Sequence, residues 1–323
     1  VATSGDTGAA AIDAIKGKKN VNIFVLHPDN RVSPVQRKLM TTGKYENVFN
    51  IAVEGNFDDC QNLVKSMFSD KNFSNQINMS GVNSINWARI VAQSVYYFYS
   101  YFLVKHEDQP TNFSVPTGNF GDVYAGYLAK KLGLPINKLI VATNQNDILH
   151  RAISKGSYQA EKVSETISPS MDIQIASNFE RLIFDINNED DVQTSEDMKN
   201  IKEIGNYVLD SKKLNKINEN FLSVRMNEKE TLEIISSVYK QFNVVLDPHT
   251  AIGYGAFDKH NLSGNNIVLG TAHPSKFPDA ISRAIKTSAD LPSELMFILD
   301  EKENYDVIEN DIEKVKQHIK DRL

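Results

Sequence analysis

Residues 114–134 read SVPTGNFGDVYAGYLAKKLGL, and this stretch decides the fold. An extended apolar run ends at Pro116, a polar turn between Gly118 and Gly121 follows, and a helical pattern runs from Asp122 to Leu132. A turn at the start of a helix aims main-chain N–H groups at one point, which favours binding of an anion such as phosphate. Neither the dinucleotide motif G-x-G-x-x-G nor the P-loop motif is present here. From these residues alone, a phosphate site and an ordinary turn remain equally open.

Strands and helices alternate on both sides of this stretch. We predict strands at 21–26, 48–53, 112–116, 139–143 and 266–269, and helices at 3–16, 33–42, 57–68, 86–104, 228–242 and 250–257. This order is typical of βαβ units, so the predicted fold class is α/β with parallel sheets. We expect a smaller domain at 1–105 and a larger, cofactor-phosphate-binding domain at 106–323. An insertion is expected near 156–210, with its acidic run 187–191 exposed to solvent.

Composition narrows the functional class. The 323 residues include 41% hydrophobic and 24% charged residues, and the formal net charge is −6, which is typical of a folded soluble protein. An acidic chain is a poor partner for nucleic acid, so we predict a small-molecule ligand. No apolar run approaches the roughly 18 residues needed to cross a membrane. Cys60 is the only cysteine, which fits a cytoplasmic protein. We predict no metal site and no membrane or nucleic-acid partner.

A second anion-binding turn is predicted in ATSGDTGAA, residues 2–10. Hydroxyl groups and free N–H groups at the start of a helix suit a carboxylate or another anion. The alternative is a well-capped helix, because Ser, Thr and Asp are common N-cap residues, and on these residues alone that alternative is the stronger. Two such turns in one chain shift the balance toward anion binding.

A third cluster, VNSINWARI at 82–90, brings together Asn83, Ser84, Asn86 and Arg89 at the start of an aromatic helix. Arg89 lies about one turn beyond the cap, where a planar guanidinium can bind phosphate with two hydrogen bonds. A capped helix with a solvated arginine is the alternative. The helix that follows carries aromatic residues on so many faces that we expect near-complete burial or a position at a domain junction.

A fourth cluster, LGTAHPSKF at 269–277, follows a strand and contains Thr271 and His273. A hydroxyl at the carboxyl end of a strand is well placed to meet a ligand above the sheet. We favour a structural role for His273 over acid–base catalysis. In LDPHTAIGYGA, Asp247 and His249 are predicted to cap a helix, and a catalytic role there is the weaker interpretation.

Together these motifs resemble threonine synthase, a pyridoxal-phosphate-dependent family with the fold of the tryptophan synthase β subunit, also called fold type II. The resemblance rests on ATSGDTGAA, NSINWAR, SVPTGNFGD, VATNQND, DPHTAIGY and LGTAHPSKF, which span residues 1 to about 280. It implies two open twisted sheets flanked by helices. It also implies conversion of O-phospho-L-homoserine and water to L-threonine and phosphate.

The resemblance also implies site residues. For pyridoxal 5′-phosphate these are Gly118, Asn119, Phe120, Gly121, Asp122, Thr271 and Asp6, of which Thr271 offers its hydroxyl to the pyridine nitrogen and Asp6 lies near the phenolic oxygen. For the substrate they are Thr3, Ser4, Gly5 and Thr7, which hold its α-carboxylate, and Asn83, Ser84 and Arg89, which hold its phosphate. A hydroxyl leaves the ring nitrogen unprotonated, so the cofactor is a weaker electron sink than a carboxylate partner would make it.

One departure from the family pattern matters. The family's Schiff-base lysine lies in an FKD-type motif about two dozen residues before ATSGDTG, and no lysine of this sequence matches that motif. The sequence begins at Val1, within a motif, so we expect that an N-terminal portion is missing and that this polypeptide is inactive alone. Two alternatives stay open: another fold type II lyase or dehydratase, and a non-catalytic homologue that binds pyridoxal phosphate or phosphate. We expect a monomer or a homodimer.

Overall fold

The computed structural model describes residues 1–3, 5–104 and 109–323. The strands are β1 (Ile23–Pro28), β2 (Val48–Glu54), β3 (Thr111–Pro116), β4 (Ile136–Thr143), β5 (Ser157–Gln159), β6 (Asn206–Val208), β7 (Phe221–Arg225), β8 (Asn265–Val268) and β9 (Asp306–Glu309). The helices are α1 (Asp6–Ile15), α2 (Pro34–Thr41), α3 (Phe57–Ser69), α4 (Lys71–Gln76), α5 (Trp87–Val104), α6 (Gly121–Lys131), α7 (Ile148–Lys155), α8 (Phe179–Ile186), α9 (Asp191–Ile204), α10 (Ser211–Asn218), α11 (Glu228–Phe242), α12 (Pro248–Ala256), α13 (Pro278–Ile285) and α14 (Ile312–Lys320). Within these residues, no helix is long and apolar enough to cross a membrane.

The chain forms two compact units. The first unit comprises Val1–Asn83 and Asp290–Leu323, and the second comprises Ser84–Ala289. This division differs from the predicted one at residue 105. Helix α5 belongs with the second unit because the hydroxyl of Tyr97 donates a hydrogen bond to the carbonyl oxygen of Asp122 in α6. The last residues belong with the first unit because β9 pairs with β2. The functions assigned to the two predicted domains stay predictions.

The first unit contains a parallel sheet in the order β1-β2-β9. Most residues of β1 and β2 are buried, as expected for parallel strands covered on both faces by helices. Leu26, Ile51 and Val53 form one core with α3 and α14, and Val25 belongs to a second core with Ile12 of α1. Before α1, Ala2 pairs with Leu26 and the amide of Thr3 donates to the Leu26 carbonyl oxygen, so α1 follows residues that lie beside the carboxyl-terminal half of β1.

The second unit contains a parallel sheet in the order β7-β4-β3-β8. All six residues of β3 are buried, and Phe113 and Val115 lie in a core that also contains Val123 of α6 and Leu139 of β4. Because the four strands are parallel, their carboxyl ends share one edge of the sheet. The turn after β3 and the loop after β8 therefore lie side by side at this edge. The predicted parallel α/β class is confirmed.

The prediction of near-complete burial for the aromatic helix is wrong. Ile90, Ser94 and Tyr97 form the buried face of α5, whereas Tyr99 is 67% exposed and Phe102 is 65% exposed. Within the described residues only one face of this helix is covered. In the sequence, α5 begins three residues after Ser84, the first residue of the second unit, and its position at a domain junction stays a prediction.

The predicted insertion at 156–210 contains the antiparallel pair β5 and β6 together with α8 and α9. Residues 188–191 are exposed, as predicted, and Asp190 caps α9 by accepting a hydrogen bond from the amide of Gln193. Asn187 differs from the prediction. It is buried and donates to Thr194 and Asp197.

Candidate active site

The turn between β3 and α6 has the geometry of an anion-binding nest. Within the part of the chain that the structure describes, no acceptor is found for the N–H groups of Gly118, Asn119, Phe120 and Gly121. Phe120 has the left-handed conformation, with φ of 65°, at a cost of about 1–2 kcal/mol. Burial of its ring against Phe179, with centroids 5.3 Å apart, offsets this cost. The four N–H groups are therefore held ready to bind an anion.

Gly118 has no room for a side chain. A Cβ atom at this position would lie 2.5 Å from the carbonyl oxygen of Ser170, much closer than a van der Waals contact allows. Ser170 lies in the short 3-10 turn Pro169–Met171. The nest therefore rests directly on the backbone of this turn.

Asp122, the second residue of α6, is turned toward Tyr97. The Tyr97 hydroxyl donates to the carbonyl oxygen of Asp122 at 2.8 Å and to its Oδ1 at 3.1 Å. Burial raises the pKa of the Asp122 carboxyl to about 6, although the hydrogen bond from Tyr97 opposes the rise. Protonation of this carboxyl as the pH falls through about 6 would remove the negative charge beside the nest, and this would favour an anionic ligand there.

The structure places the Ser84 segment next to this nest. A Cβ atom on Gly121 would lie 3.6 Å from the carbonyl oxygen of Ser84. Asn86 caps α5 by accepting a hydrogen bond from the amide of Ala88 at 3.0 Å, and Arg89, in the first helical turn, is half-buried. Two of the predicted clusters thus meet in the second unit. Asn83 belongs to the first unit.

Sequence reasoning missed the residue that joins these clusters. Asn178 is fully buried, and its side-chain amide donates to the carbonyl oxygens of Ser84 at 3.0 Å and Asn119 at 3.2 Å. Arg181 adds a second tie, because it donates to the carbonyl oxygen of Ile85 at 2.8 Å. The only sequence signal was an asparagine just before a helix, which predicts a cap and does not identify a partner almost a hundred residues away.

Thr271 lies in the loop after β8 and is exposed, while its amide donates to the hydroxyl oxygen of Thr250 at 3.1 Å. His273 makes hydrogen bonds within its own loop, and the structural role that we favour for it stays a prediction. Its Nδ1 accepts from the amide of Ser275 and lies 2.7 Å from the Ser275 hydroxyl. Asp247 caps α12 as predicted, since its carboxylate accepts from the amides of His249 and Thr250.

In the first unit, the contacts before α1 are those of a capped helix, and anion binding by ATSGDTGAA stays a prediction. The Thr3 side chain is buried, and its hydroxyl oxygen accepts from the amides of Gly5 and Gly8, each at 2.9 Å. Thr3 therefore acts as a cap. Gly5 has φ of 139°, which favours glycine, and a Cβ atom there would lie 2.8 Å from Cδ of Gln36. Asp6 and Thr7 form the first turn of α1, and Ser4 lies outside the described residues.

An anion-binding turn beside a hydroxyl-bearing loop, both at the carboxyl edge of a parallel sheet, is typical of an α/β protein that binds a phosphate-bearing ligand. Comparison with known proteins agrees with this class. Residues 1–200 match the family described as pyridoxal-phosphate dependent enzyme, and residues 250–319 match the C-terminal region of threonine synthase. The threonine synthase of Pseudomonas aeruginosa is 45% identical over 98% of this chain and 68% of that relative. That of Saccharomyces cerevisiae is 43% identical over 100% of this chain and 68% of its own length.

Solved structures give the same result. The crystal structure of pyridoxal-phosphate-bound threonine synthase from Brucella melitensis has a TM-score of 0.95 and 46% identity, covering 99% of this chain and 69% of that chain. The yeast threonine synthase structure has a TM-score of 0.92 and 42% identity, covering 99% of this chain and 68% of that one. The chain belongs to the threonine synthase family. The predicted family, its fold type II architecture and its pyridoxal phosphate cofactor are confirmed.

The residues of the second unit fit this cofactor. Pyridoxal phosphate needs donors for a phosphate dianion at one end and a partner for a ring nitrogen at the other. The four unpaired N–H groups after β3 and the exposed Thr271 after the neighbouring strand β8 lie at the same edge of one sheet. Their chemistry matches the two ends of the cofactor.

Proposed function

We propose that this chain carries the cofactor site and the substrate-phosphate site of a threonine synthase that converts O-phospho-L-homoserine and water to L-threonine and phosphate. One observation carries the proposal beyond family membership. Asn178 donates hydrogen bonds both to the nest after β3 and to Ser84, at the start of the cluster that also contains Arg89. The two predicted anion sites therefore lie next to each other. An enzyme that uses pyridoxal phosphate on a phosphorylated amino acid needs two such sites.

In this proposal, the cofactor phosphate is held by the amides of Gly118, Asn119, Phe120 and Gly121. Asp122, the second residue of α6, lies beside this phosphate. The Thr271 hydroxyl holds the ring nitrogen, and Asp6 lies near the phenolic oxygen. When bound, pyridoxal phosphate supplies an electron sink for carbanions of the substrate. The protein's part is to orient the substrate bonds that break and to hold the charge that develops.

Substrate groups are assigned to the other two clusters. The start of α1, with Gly5 and Thr7, binds the α-carboxylate, and Ser4 is proposed with them. Thr3 supports this loop as a buried cap. Asn83, Ser84 and Arg89 bind the substrate phosphate, which departs from Cγ with its negative charge. A guanidinium beside the leaving phosphate favours departure because it stabilises that charge.

The test has two stages. No lysine of residues 1–323 matches the family's Schiff-base motif, so we expect this polypeptide alone to bind pyridoxal phosphate without a specific covalent lysine adduct and to release no phosphate from O-phospho-L-homoserine. Borohydride reduction followed by peptide mapping checks the first expectation. A single, stoichiometrically modified lysine would contradict it.

The second stage uses the reading frame upstream of Val1. We expect it to encode an FKD-like segment, and we expect the polypeptide that includes this segment to release phosphate from O-phospho-L-homoserine. Deamination of L-serine or L-threonine without that activity would favour the other fold type II enzymes. A start codon directly before Val1 would favour a binding homologue. A cytoplasmic location and a monomeric or homodimeric state are part of the same proposal.

A further inference from the structure

A buried polar cluster lies at the start of α12, and the proposed function does not use it. It consists of Asp247, His249 and Thr250, whose side chains are 1%, 4% and 8% exposed. Burial alone would raise the pKa of Asp247, but the hydrogen bonds from His249 and Thr250 outweigh this effect and lower it. The carboxylate is therefore ionised, and both of its oxygens accept hydrogen bonds.

One arm of the cluster leads to Thr271. The Thr250 hydroxyl donates a short hydrogen bond to Oδ2 of Asp247, so its oxygen is free to accept. It accepts from the amide of Thr271 at 3.1 Å. The residue proposed to hold the ring nitrogen is thus fixed through its own main chain to Thr250.

The other arm leads to the nest. Nδ1 of His249 donates to Oδ1 of Asp247 at 2.9 Å, which leaves Nε2 as an acceptor. Nε2 accepts from the amide of Ser170 at 3.3 Å. The carbonyl oxygen of the same Ser170 occupies the place that a Cβ atom on Gly118 would need. His249 therefore holds the turn on which the nest rests.

Helix α12 is itself fixed to the two strands that lead to the site. The Ser114 hydroxyl in β3 donates to the carbonyl oxygen of Gly253 at 2.6 Å. A Cβ atom on Gly253 would lie 3.0 Å from Cγ of Pro116 and 3.2 Å from Cγ1 of Val268. The helix is packed closely against β3 and β8, and the cluster at its start lies behind both of their loops.

We propose that Asp247, His249 and Thr250 are positioning residues that set the distance between the phosphate end and the ring end of the cofactor site. The inference rests on the proposed function for the assignment of the two ends. A simple helix cap would need only the carboxylate of Asp247 and the amides that follow it. Here two further hydrogen bonds extend beyond the cap. One runs from Thr250 to the Thr271 amide at the ring end, and the other from His249 to the Ser170 amide under the phosphate end.

The test compares two pairs of variants in this chain. Thr250→Val removes the hydroxyl at nearly constant volume, and Thr250→Ser keeps it. His249→Phe keeps a ring beside Phe277, whose centroid lies 4.9 Å away, but removes both nitrogens, while His249→Gln keeps an acceptor for Ser170. Asp190→Ala, which removes an exposed helix cap at α9, controls for loss of stability alone. The probes are inorganic phosphate and pyridoxal phosphate, with thermal unfolding recorded for each variant.

We expect His249→Phe to weaken binding of inorganic phosphate by about tenfold, the effect of one lost hydrogen bond on the supporting turn. Thr250→Val should leave phosphate binding within about twofold, yet weaken pyridoxal phosphate by about tenfold and shift the absorption band of the bound cofactor. Thr250→Ser and His249→Gln should restore most of each loss. Hydrogen exchange of the unmodified chain adds a measure that needs no variant. Inorganic phosphate should slow exchange at the Ser170 amide more than at the Thr271 amide.

Equal losses for both probes in both variants, in proportion to the fall in melting temperature, would reduce the cluster to a helix cap and overturn the positioning role. Unchanged affinities in both variants would overturn it as well. If the unmodified chain binds neither probe, the proposed cofactor site fails, and the positioning role fails with it.

Discussion

The side-chain amide of Asn178 donates a 3.0 Å hydrogen bond to the carbonyl oxygen of Ser84. The same amide nitrogen lies 3.2 Å from the carbonyl oxygen of Asn119, and the main-chain amide of Asn178 donates to that oxygen at 3.1 Å. One buried residue thus connects the turn assigned to the cofactor phosphate with the segment assigned to the substrate phosphate.

Asn178→Ala should destabilise the fold and weaken anion binding. It leaves the partly buried carbonyl oxygen of Ser84 without this donor, a loss of about 1 kcal/mol in the free energy of unfolding. Binding of inorganic phosphate should fall as the turn loses its support. Urea denaturation and phosphate titration measure the two effects, with exposed Asn261→Ala as the control. An unchanged phosphate affinity would show that the bridge is only structural.

Gly118→Ala should remove phosphate binding. The added methyl group would meet the Ser170 carbonyl oxygen at 2.5 Å, so either the turn or the nest must move, at a cost of about 1–3 kcal/mol. Gly205→Ala is the matched control, because Gly205 has φ of 71° but nothing lies within 4 Å of its Cβ position. It should lose stability through backbone strain and leave phosphate binding unchanged. Calorimetric titration with phosphate separates the two, and tight binding by Gly118→Ala would contradict the nest.

Asp122→Asn should be stabilising at neutral pH. The carboxyl has a pKa of about 6 in the folded chain, above its ordinary value of 3.8, so the folded state binds the proton more tightly than the unfolded state does. The contribution of Asp122 to stability is therefore fully present below about pH 4 and is lost as the pH rises through 6.

Relative to the unmodified chain, Asp122→Asn should gain roughly 1–2 kcal/mol between pH 4 and pH 7, allowing for partial exposure of the carboxyl. It should also bind phosphate more tightly at pH 7 than the unmodified chain, because a negative charge beside the nest is removed. Urea denaturation at several pH values checks the first expectation. A stability difference between the two proteins that does not change with pH would contradict it.

Arg89→Gln should weaken binding of phosphate at the second anion site by about tenfold, since a charge-assisted hydrogen bond is lost. Arg89→Lys keeps the charge without the planar fork and should recover part of the loss. Phosphorus-31 NMR titration with inorganic phosphate, in the presence of saturating pyridoxal phosphate, isolates this site from the nest. Arg31→Gln, at an exposed position in the first unit, serves as the control. Equal effects of Arg89→Gln and Arg31→Gln would indicate general charge screening instead of a site.

The parts of the fold that local sequence determines were predicted well. The strand before the nest was expected at 112–116 and lies at Thr111–Pro116, and the helix after it was expected at 122–132 and lies at Gly121–Lys131. Each is marked by its own apolar period, turn glycines and helix start, all within twenty residues.

Other features depend on contacts that no short stretch contains. β9 was missed because Asp306–Glu309 is short and largely exposed, and it is a strand only because it pairs with β2. The exposed face of α5 could not be distinguished from a buried one, since both consist of apolar residues. The bridge through Asn178 was invisible for the same reason, because neither of its partners lies near it in sequence.

The pairing of β2 with β9 has a consequence for biosynthesis. The ribosome makes β2 about 250 residues before β9, and all of residues 84–289 emerge in between. The second unit can therefore fold before β9, the last strand of the first unit's sheet, has been synthesised. Contacts this distant in sequence form slowly, so for a newly made chain the first unit is the part most exposed to misassembly and most dependent on chaperones.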